Sequence, residues 1–436
     1  MVDKTMTALA FGAPGDVDES LSESAHSLVG SEILRIASQI RKLVAAGKSV
    51  CNLTVGDFNP KYFPIPTVLM EEIHNALAAG ETNYPPSDGM LPLRQAAADF
   101  TAREYGVRYP IESTLIASGS RPLLYAAYRC VVNPGDVVVY PAPSWNNNHY
   151  VNLTRAQGID LPTSAADGFQ PTLAQIAPHL SSAHMIALNT PLNPSGTVMK
   201  AEHLTAIARA IVDENDRRAA AGRRRLFLLF DQVYGSLVFG SIKHHHPASL
   251  VPEVAPWLIT VDGISKGLAA TGLRVGWVLA APELTSRMRD LIGHIGAWAP
   301  RPEQVATAKF LQNEAAVHAY RKQMNAAVHE RLEALYAGFT AMKAEGFPVE
   351  CIHPQGAIYL SLRIDVAGRS LDGQKFDRNE TLRTSILEHA GLAAVPFQAF
   401  GLMEETGWFR LSVGAVSMDE IAKMFPRLRA MLSGIR

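Results

Sequence analysis

Hydrophobic positions along this chain change their spacing twice, and each change marks a different kind of structure. Near the start, Ile33, Leu34, Ile36, Ala37, Ile40 and Leu43 recur every three or four residues, which predicts a helix running from an N-cap at Ser31 to Leu43. The middle of the chain then alternates short β-rich runs with helical stretches. The runs lie at 114–117, 136–140, 185–188, 226–230, 257–261 and 274–279, with helices predicted at 123–131 and 204–215. Runs this apolar, without strict alternation, suit strands covered on both faces, so the pattern predicts a mostly parallel sheet flanked by helices. From residue 303 the texture becomes long helices, at 303–311 and 315–344, and then strands near 358–362 and 408–413.

The expected fold is therefore α/β: a three-layer domain with a mostly parallel sheet over 66–310, and a smaller α+β domain assembled from 31–65 and 311–436. Residues 1–30 read as an N-terminal arm, because their first part is rich in Gly, Asp, Ser and Ala. A chain of 436 residues, 47% hydrophobic and 19% charged, has the length and balance for two such cores.

The formal net charge of −1 gives no basic surplus for nucleic acid. No run of about 18 apolar residues appears, and Met1–Leu21 lacks a charged segment followed by an apolar core, so no membrane span is expected and a cytoplasmic location is the default. Three scattered cysteines, Cys51, Cys130 and Cys351, suggest neither a disulfide framework nor a metal site; they read as buried thiols of a reducing compartment. The arginines at 217, 218 and 223–225 read as solvated surface. His244-His245-His246 reads as a surface loop, since three adjacent histidines cannot all face one ion.

In a sheet of this kind ligands bind beyond the carboxyl ends of the strands, so the residues immediately after each predicted strand are the candidates for chemistry. After 114–117 comes Ser118-Gly119-Ser120-Arg121-Pro122 and a helix: a small-residue turn that suits a phosphate, or serves as a plain cap. After 185–188 comes Asn189-Thr190-Pro191-Leu192-Asn193-Pro194-Ser195-Gly196, where two prolines bracket Asn193 and stiffen either a fixed amide donor or a simple turn. Asp231 follows 226–230 with Tyr234 three residues on, and an acid there can also cap a helix. Lys266 stands in Asp262-Gly263-Ile264-Ser265-Lys266-Gly267, ahead of Thr271-Gly272-Leu273-Arg274-Val275-Gly276. An apolar, Gly-rich setting makes a lysine easier to deprotonate and hence a usable nucleophile. No G-x-G-x-x-G follows any strand, which argues against a nicotinamide dinucleotide.

The order of these pieces resembles the aminotransferase class I/II family, the fold type I pyridoxal-phosphate enzymes, from about residue 31 onward. The resemblance implies a ping-pong aminotransferase that moves an amino group from an L-amino acid to a 2-oxo acid, with pyridoxal 5′-phosphate as cofactor and no metal. Lys266 is similar to the Schiff-base lysine that also moves the proton at Cα. Asp231 resembles the carboxylate on the pyridinium nitrogen, while Asn193 and Tyr234 resemble the pair on the phenolic oxygen. Trp145 is similar to the aromatic stacked on the ring, although a core aromatic reads the same way.

Gly119, Ser120, Arg121 and Arg274 match the phosphate site. Tyr84 resembles a tyrosine that reaches the phosphate of the neighbouring subunit in a homodimer. Arg410, in Phe409-Arg410-Leu411-Ser412, resembles the arginine that clamps the substrate α-carboxylate, with the backbone of Gly56 against it and Asn193 and Trp145 beside it. Pro354 to Tyr359 follows the family's pattern for a packing strand. Arg301 and His294 fall near the region where some relatives place side-chain ligands, Trp298 and Trp145 would offer aromatic walls that favour larger side chains, and the family's habits favour aspartate or glutamate as donor.

Three positions depart from the family's pattern. Gly263 stands where a phosphate-binding hydroxyl is common, which shifts that contact to Ser265 or Ser120. Asp57-Phe58-Asn59-Pro60 replaces the usual Glu-Pro or Gln-Pro, and Pro396-Phe397-Gln398 replaces Pro-Gly. A lyase or cyclising synthase of the same fold would keep all these residues. A non-catalytic effector-sensing domain is the other reading, and it requires an N-terminal helix-turn-helix domain for which the residues before Gly56 leave no room.

Overall fold

The computed structural model describes residues 17–30 and 32–436, so the expected N-cap at Ser31 and the first sixteen residues of the arm lie outside the described residues, as do the side chains of Ile33 and Leu34. The expected first helix spans Glu32–Ala45 and buries Ile36 and Ile40. It leads into a two-residue strand, β1 (Cys51–Asn52).

Seven strands then build the main sheet: β2 (Thr114–Ala117), β3 (Val137–Ala142), β4 (Gln157–Pro162), β5 (Ala183–Asn189), β6 (Phe227–Asp231), β7 (Leu258–Gly263) and β8 (Gly276–Leu279). Their spatial order is β2-β8-β7-β6-β5-β3-β4. All neighbours are parallel except β8, which runs antiparallel to both β2 and β7.

Helices cover both faces, which is why the strands are apolar throughout rather than alternating. On one face Leu123, Ala127 and Val131 of helix Ser120–Val131 pack with Met288 and Ile292 of helix Pro282–Ile295. On the other, Leu204, Ile207 and Ile211 of helix Ala201–Ala220 meet Ile186, Leu188, Leu228 and Phe230. The edge strand β4 carries no apolar run to read in the sequence. Bonded to β3 alone and largely exposed, it needs none.

The C-terminal third forms an antiparallel sheet in the order β14-β15-β10-β9, from β9 (Val349–Cys351), β10 (Tyr359–Ile364), β14 (Val395–Pro396) and β15 (Trp408–Ser412). A hairpin, β11 (Ser370–Leu371) and β12 (Gln374–Lys375), projects from it, and β13 (Leu392–Ala393) pairs in parallel with β1. The 31-residue helix Glu314–Ala344 lays Met324, Val328, Leu332, Leu335 and Phe339 against this sheet, at the three- and four-residue spacing of one helical face.

Two surface expectations and one of burial are corrected. Arg218 is 1% exposed; its guanidinium donates to Glu214 Oε1 at 2.8 Å and to the carbonyls of Leu180 and Ala183, both at 2.7 Å, so it pins the helix to the start of β5. His246 is buried, accepts the Ala248 N–H through Nδ1 and contacts Thr260 Oγ1 at 3.0 Å, while His244 stacks on Phe230. Burial pushes both imidazoles down to about 3, so they are neutral. Among the described residues no metal-binding cluster forms. Only Cys51 is fully buried; Cys130 and Cys351 are half-buried, and all three are free.

The end of β7 combines two constraints. A side chain on Gly263 would place Cβ 2.8 Å from the Val275 carbonyl oxygen and 2.9 Å from Gly276 Cα, both backbone atoms of the adjoining segment. The missing hydroxyl at this position thus has a steric cause, and Gly263→Ser should lower stability by roughly 1–3 kcal/mol in chemical denaturation.

Beside it Asp262 is buried, its carboxylate accepting from Gly263 N at 2.7 Å and Gln232 Nε2 at 3.1 Å; burial pushes its carboxyl up to about 7. A carboxyl raised in the folded state costs stability as pH rises from its ordinary value near 4 through the folded value. The advantage of Asp262→Asn over wild type should therefore grow between about pH 4 and pH 7, reach roughly 1–3 kcal/mol, and stay level above, as read from denaturation midpoints across pH.

Candidate active site

The carboxyl ends of β5, β6 and β7 open at the same edge of the main sheet, and the parallel register places Asn189 directly beside Asp231. A cavity of ≈ 540 Å³ lies beyond that edge, closed on its far side by the N-terminal segment, β10 and β15. Of the residues singled out in the sequence, Gly56, Ser120, Arg121, Trp145, Asn193, Asp231, Tyr234, Ser265, Lys266, Arg274 and Arg410 all line it. Gly119 stands immediately behind Ser120.

Lys266 projects from the short helix Ile264–Gly267, and its Nζ donates to the Gly56 carbonyl at 2.6 Å. Burial pushes its amine down to about 8, with Asp57 opposing the fall and the arginines 410, 121 and 274 adding to it. Asp231, at the tip of β6, accepts from the Val233 N–H at 3.2 Å, and burial pushes its carboxyl up to about 6 while Lys266 pulls the other way. A half-buried, desolvated carboxylate with one weak backbone partner has a strong reason to bind a protonated nitrogen. Tyr234 is buried with its hydroxyl 2.6 Å from that of Tyr359, and burial holds its phenol well above the usual range.

At the opposite end of the cavity two cations converge. Arg274 Nη1 and Nη2 donate to the carbonyls of Thr271 at 2.7 Å and Ser118 at 3.0 Å, and Arg121 lies over the Trp145 ring at 5.5 Å. Burial lowers the Arg274 guanidinium and the charge of Arg121 lowers it further. Neither arginine pairs with a carboxylate among the described residues. Gly119 has φ +81°, and any side chain there would collide with the Arg274 guanidinium, so the glycine is what lets the arginine close on the first turn of helix Ser120–Val131. Two arginines and a helix N-terminus at one point suit a phosphate dianion. With a half-buried carboxylate, a tyrosine and a lysine along the cavity, the donor set fits a phosphorylated pyridine aldehyde.

Arg410, on β15, is 1% exposed. Its Nη1 donates to Asn193 Oδ1 at 3.0 Å and its Nη2 to the Thr54 carbonyl at 2.7 Å, while its Nε has no hydrogen-bond partner. The guanidinium lies 4.6 Å from the Tyr359 ring centre and 4.9 Å from that of Phe400. Asn193 is itself fixed, since its N–H donates to Asn189 Oδ1 at 2.9 Å, and Asn189 Nδ2 donates to the Asp231 carbonyl.

Tyr84 is not among the lining residues. Its ring is 81% exposed and packs edge-on against Trp298 at 5.3 Å. Arg301 is held by an ion pair with Glu81, and neither it, His294 nor Trp298 lines the cavity. The sequence reading also missed wall residues. Tyr359, given only a packing role, faces the cavity, as do Asp57, Thr271 and Ala37. The Thr-Gly-Leu-Arg run contained the signal for Thr271, and the departure after Gly56 contained that for Asp57.

A family model described as aminotransferase class I and II matches residues 48–428. An aspartate aminotransferase of Streptomyces avermitilis is 26% identical over 407 residues, 92% of this chain and 94% of that protein. A probable aspartate/prephenate aminotransferase of Thermus aquaticus is 28% identical, with 87% of this chain and 93% of that protein covered. Among solved structures, the aspartate aminotransferase of Rhizobium meliloti superposes with a TM-score of 0.86 at 25% identity, covering 95% of this chain and 99% of that one. The Thermus thermophilus aspartate aminotransferase with maleate gives 0.83 at 25% identity over 94% and 99%. With a family model spanning most of its length and a cavity whose groups suit the cofactor, this chain belongs to the aminotransferase class I and II family and is a pyridoxal-phosphate-dependent aminotransferase.

Proposed function

We propose that the cavity between the main sheet and β15 is where an L-amino acid and a 2-oxo acid exchange their amino group in turn, with Lys266 as the covalent and proton-transferring residue. The bound cofactor supplies an electron sink for the pair of electrons left when Cα loses its proton. Asp231 keeps the ring nitrogen protonated, and its burial makes that pairing strong. Tyr234 and Asn193 donate to the ring oxygen, Trp145 covers the ring face, and Gly119, Ser120, Arg121, Ser265 and Arg274 hold the phosphate.

Arg410 takes the substrate α-carboxylate in a fork that Asn193 and Thr54 already orient, with Gly56 close enough to line the clamp. The observation that carries this reading is Arg410 itself: a fully buried guanidinium without a carboxylate partner among the described residues, 217 positions from Asn193 in sequence and 3.0 Å away in space.

The division of the chain into 66–310 and 31–65 with 311–436 fits the grouping of the two sheets. The exposed Tyr84 ring supports a homodimer in which it reaches the neighbouring subunit's phosphate. Free thiols suit a cytoplasmic setting, and among the described residues no helix is long and apolar enough to cross a membrane. An acidic donor, aspartate or glutamate, is the reading that the relatives' names support.

A visible absorption band that borohydride abolishes, leaving cofactor mass on Lys266 in peptide mass spectrometry and missing from Lys266→Ala, is the expected result; a band surviving in Lys266→Ala would remove the lysine from this role. With amino-acid donors the products should be 2-oxo acids, whereas released ammonia would indicate a lyase. Arg410→Lys should raise KM for every amino and 2-oxo acid by about ten- to a hundredfold in steady-state assays, because a point charge replaces a fork.

A further inference from the structure

We infer that Tyr359 is a positioning residue for the contact on the cofactor's ring oxygen: its hydroxyl, held beside the Arg410 guanidinium, donates to the Tyr234 oxygen and so aims the Tyr234 proton at the ring. The inference rests on the reading of Tyr234 given above and deepens it by one residue, a tyrosine that the sequence pattern assigns to packing.

Tyr359 is buried on β10, its hydroxyl lies 2.6 Å from that of Tyr234, and the two rings meet edge-on at 5.5 Å. A tyrosine hydroxyl has one proton to give. Once Tyr234 gives its own to the ring oxygen, the contact between the two hydroxyls can only run from Tyr359 to Tyr234. Donors in series polarise one another, so the outer one strengthens the inner. The segment leading into β10 is bonded to both loops that carry a ring-oxygen donor. Phe239 N–H donates to the Gln355 carbonyl at 3.1 Å and Ala357 N–H to that of Leu237 at 2.9 Å, which ties it to the turn of Tyr234. Gln355 and Gly356 both donate their N–H to the Gly196 carbonyl at 3.0 Å, which ties it to the loop of Asn193. A side chain on Gly196 would collide with the Tyr359 carbonyl oxygen, so that loop lies directly on the tyrosine's backbone.

Arg410 completes the chain. In the pairing of β10 with β15, Tyr359 stands opposite Ser412 and Ser361 opposite Arg410, so Tyr359 and Arg410 are diagonal neighbours on one face of the sheet. The guanidinium lies 4.6 Å from the Tyr359 ring centre, and a cation against the ring draws charge from the phenol and makes its O–H a better donor. Burial holds that phenol above the usual range, while Arg410 and the contact with Tyr234 oppose the rise. The other charged groups around the pair are Asp231 from β6, Asp57 from the segment after β1, and Lys266, whose Nζ lies 5.7 Å from the Tyr234 ring centre. Arg410 therefore stands behind both ring-oxygen donors, through Asn193 Oδ1 at 3.0 Å and, one residue removed, through Tyr359. A donor on the ring oxygen spreads that oxygen's negative charge. The less charge it keeps, the less tightly the neighbouring nitrogen contributed by Lys266 holds a proton. The Tyr359 hydroxyl thus lowers the pH at which that nitrogen gives up its proton, without touching it.

The test reads the pH midpoint of the visible absorption band in the cofactor-loaded enzyme, titrated between about pH 5 and pH 10. Tyr359→Phe should raise the midpoint by about 0.2 to 0.5 pH unit, and Tyr234→Phe by more, because it removes the direct donor. In the double variant the midpoint should match that of Tyr234→Phe alone, since the outer hydroxyl then has nothing to act through. KM for amino-acid donors should stay within about twofold in Tyr359→Phe, whose ring still covers Arg410, which separates the hydroxyl's role from packing. A midpoint unmoved in Tyr359→Phe but raised in Tyr234→Phe overturns the proposal and leaves the reading of Tyr234 standing; a midpoint unmoved in both overturns the two together. Shifts that simply add in the double variant also overturn it, because Tyr359 would then act by another route. Should Tyr359→Phe not take up the cofactor, Tyr359→3-fluorotyrosine, a stronger donor of nearly the same volume, should lower the midpoint, and an unmoved midpoint there overturns the proposal alone.

Discussion

Arg410 is the interaction on which this architecture turns. Its guanidinium is buried between Tyr359 and Phe400 and spends its donors on neutral oxygens, Asn193 Oδ1 and the Thr54 carbonyl. Burying an arginine against carbonyls and aromatic faces alone is costly, because a full charge gives up its hydration for dipoles and ring quadrupoles. That cost is tolerable only if a carboxylate completes the site in the working state. Three separate stretches of chain meet at this side chain: the segment after β1, the loop after β5 and β15 itself. A change that displaces any one of them displaces the guanidinium.

The second constraint is charge separation along one cavity. Arg121 and Arg274 gather at the helix N-terminus, Asp231 stands at the carboxyl end of β6, and Lys266 and Arg410 line the same cavity. Each charge is fixed by backbone that the sheet supplies: Asp231 by the end of β6, Lys266 by the turn after β7, Arg274 by the segment entering β8. The antiparallel β8 matters here. It returns the chain to the same edge immediately after Lys266, so that the lysine and Arg274 come from one loop eight residues apart. Parallel strands alone, with their long crossovers, would not bring the two so close in sequence.

Much of this was legible in the residues because strand ends and ligand contacts coincide in such sheets. Asn193, Asp231, Lys266 and Arg274 each follow or precede an apolar run, and the run places them. What could not be read was whatever depended on a partner from a distant segment. Arg218 sits in a stretch of arginines that looks solvated, and only the carbonyls of Leu180 and Ala183, more than thirty residues away, explain its burial. His244 and His246 were misread for a similar reason, since Phe230, Tyr105 and Thr260 come from other elements. The edge strand β4 escaped because its pairing with β3 needs no apolar signature. Tyr359 was assigned to packing because a tyrosine in a strand says nothing of where its hydroxyl ends.

Departures from the family pattern carried as much information as the matches. Gly263 looked like a lost phosphate ligand, yet the close approach of Val275 and Gly276 leaves no room for any Cβ, so the glycine belongs to the geometry that brings β7 and β8 together. The end of the cavity where Arg121 and Arg274 meet still has Ser120 and Ser265 on its walls. Asp57 stood out only as a departure from the usual Glu-Pro or Gln-Pro, yet its carboxylate accepts a hydrogen bond from Thr271 on the lysine's own loop. Both positions constrain the Lys266 loop, Gly263 through close backbone approach to the segment entering β8 and Asp57 through the hydrogen bond it accepts from Thr271. A lysine that must meet the same atoms repeatedly needs its loop held at both ends, which the backbone contact at Gly263 and the hydrogen bond from Thr271 to Asp57 supply together.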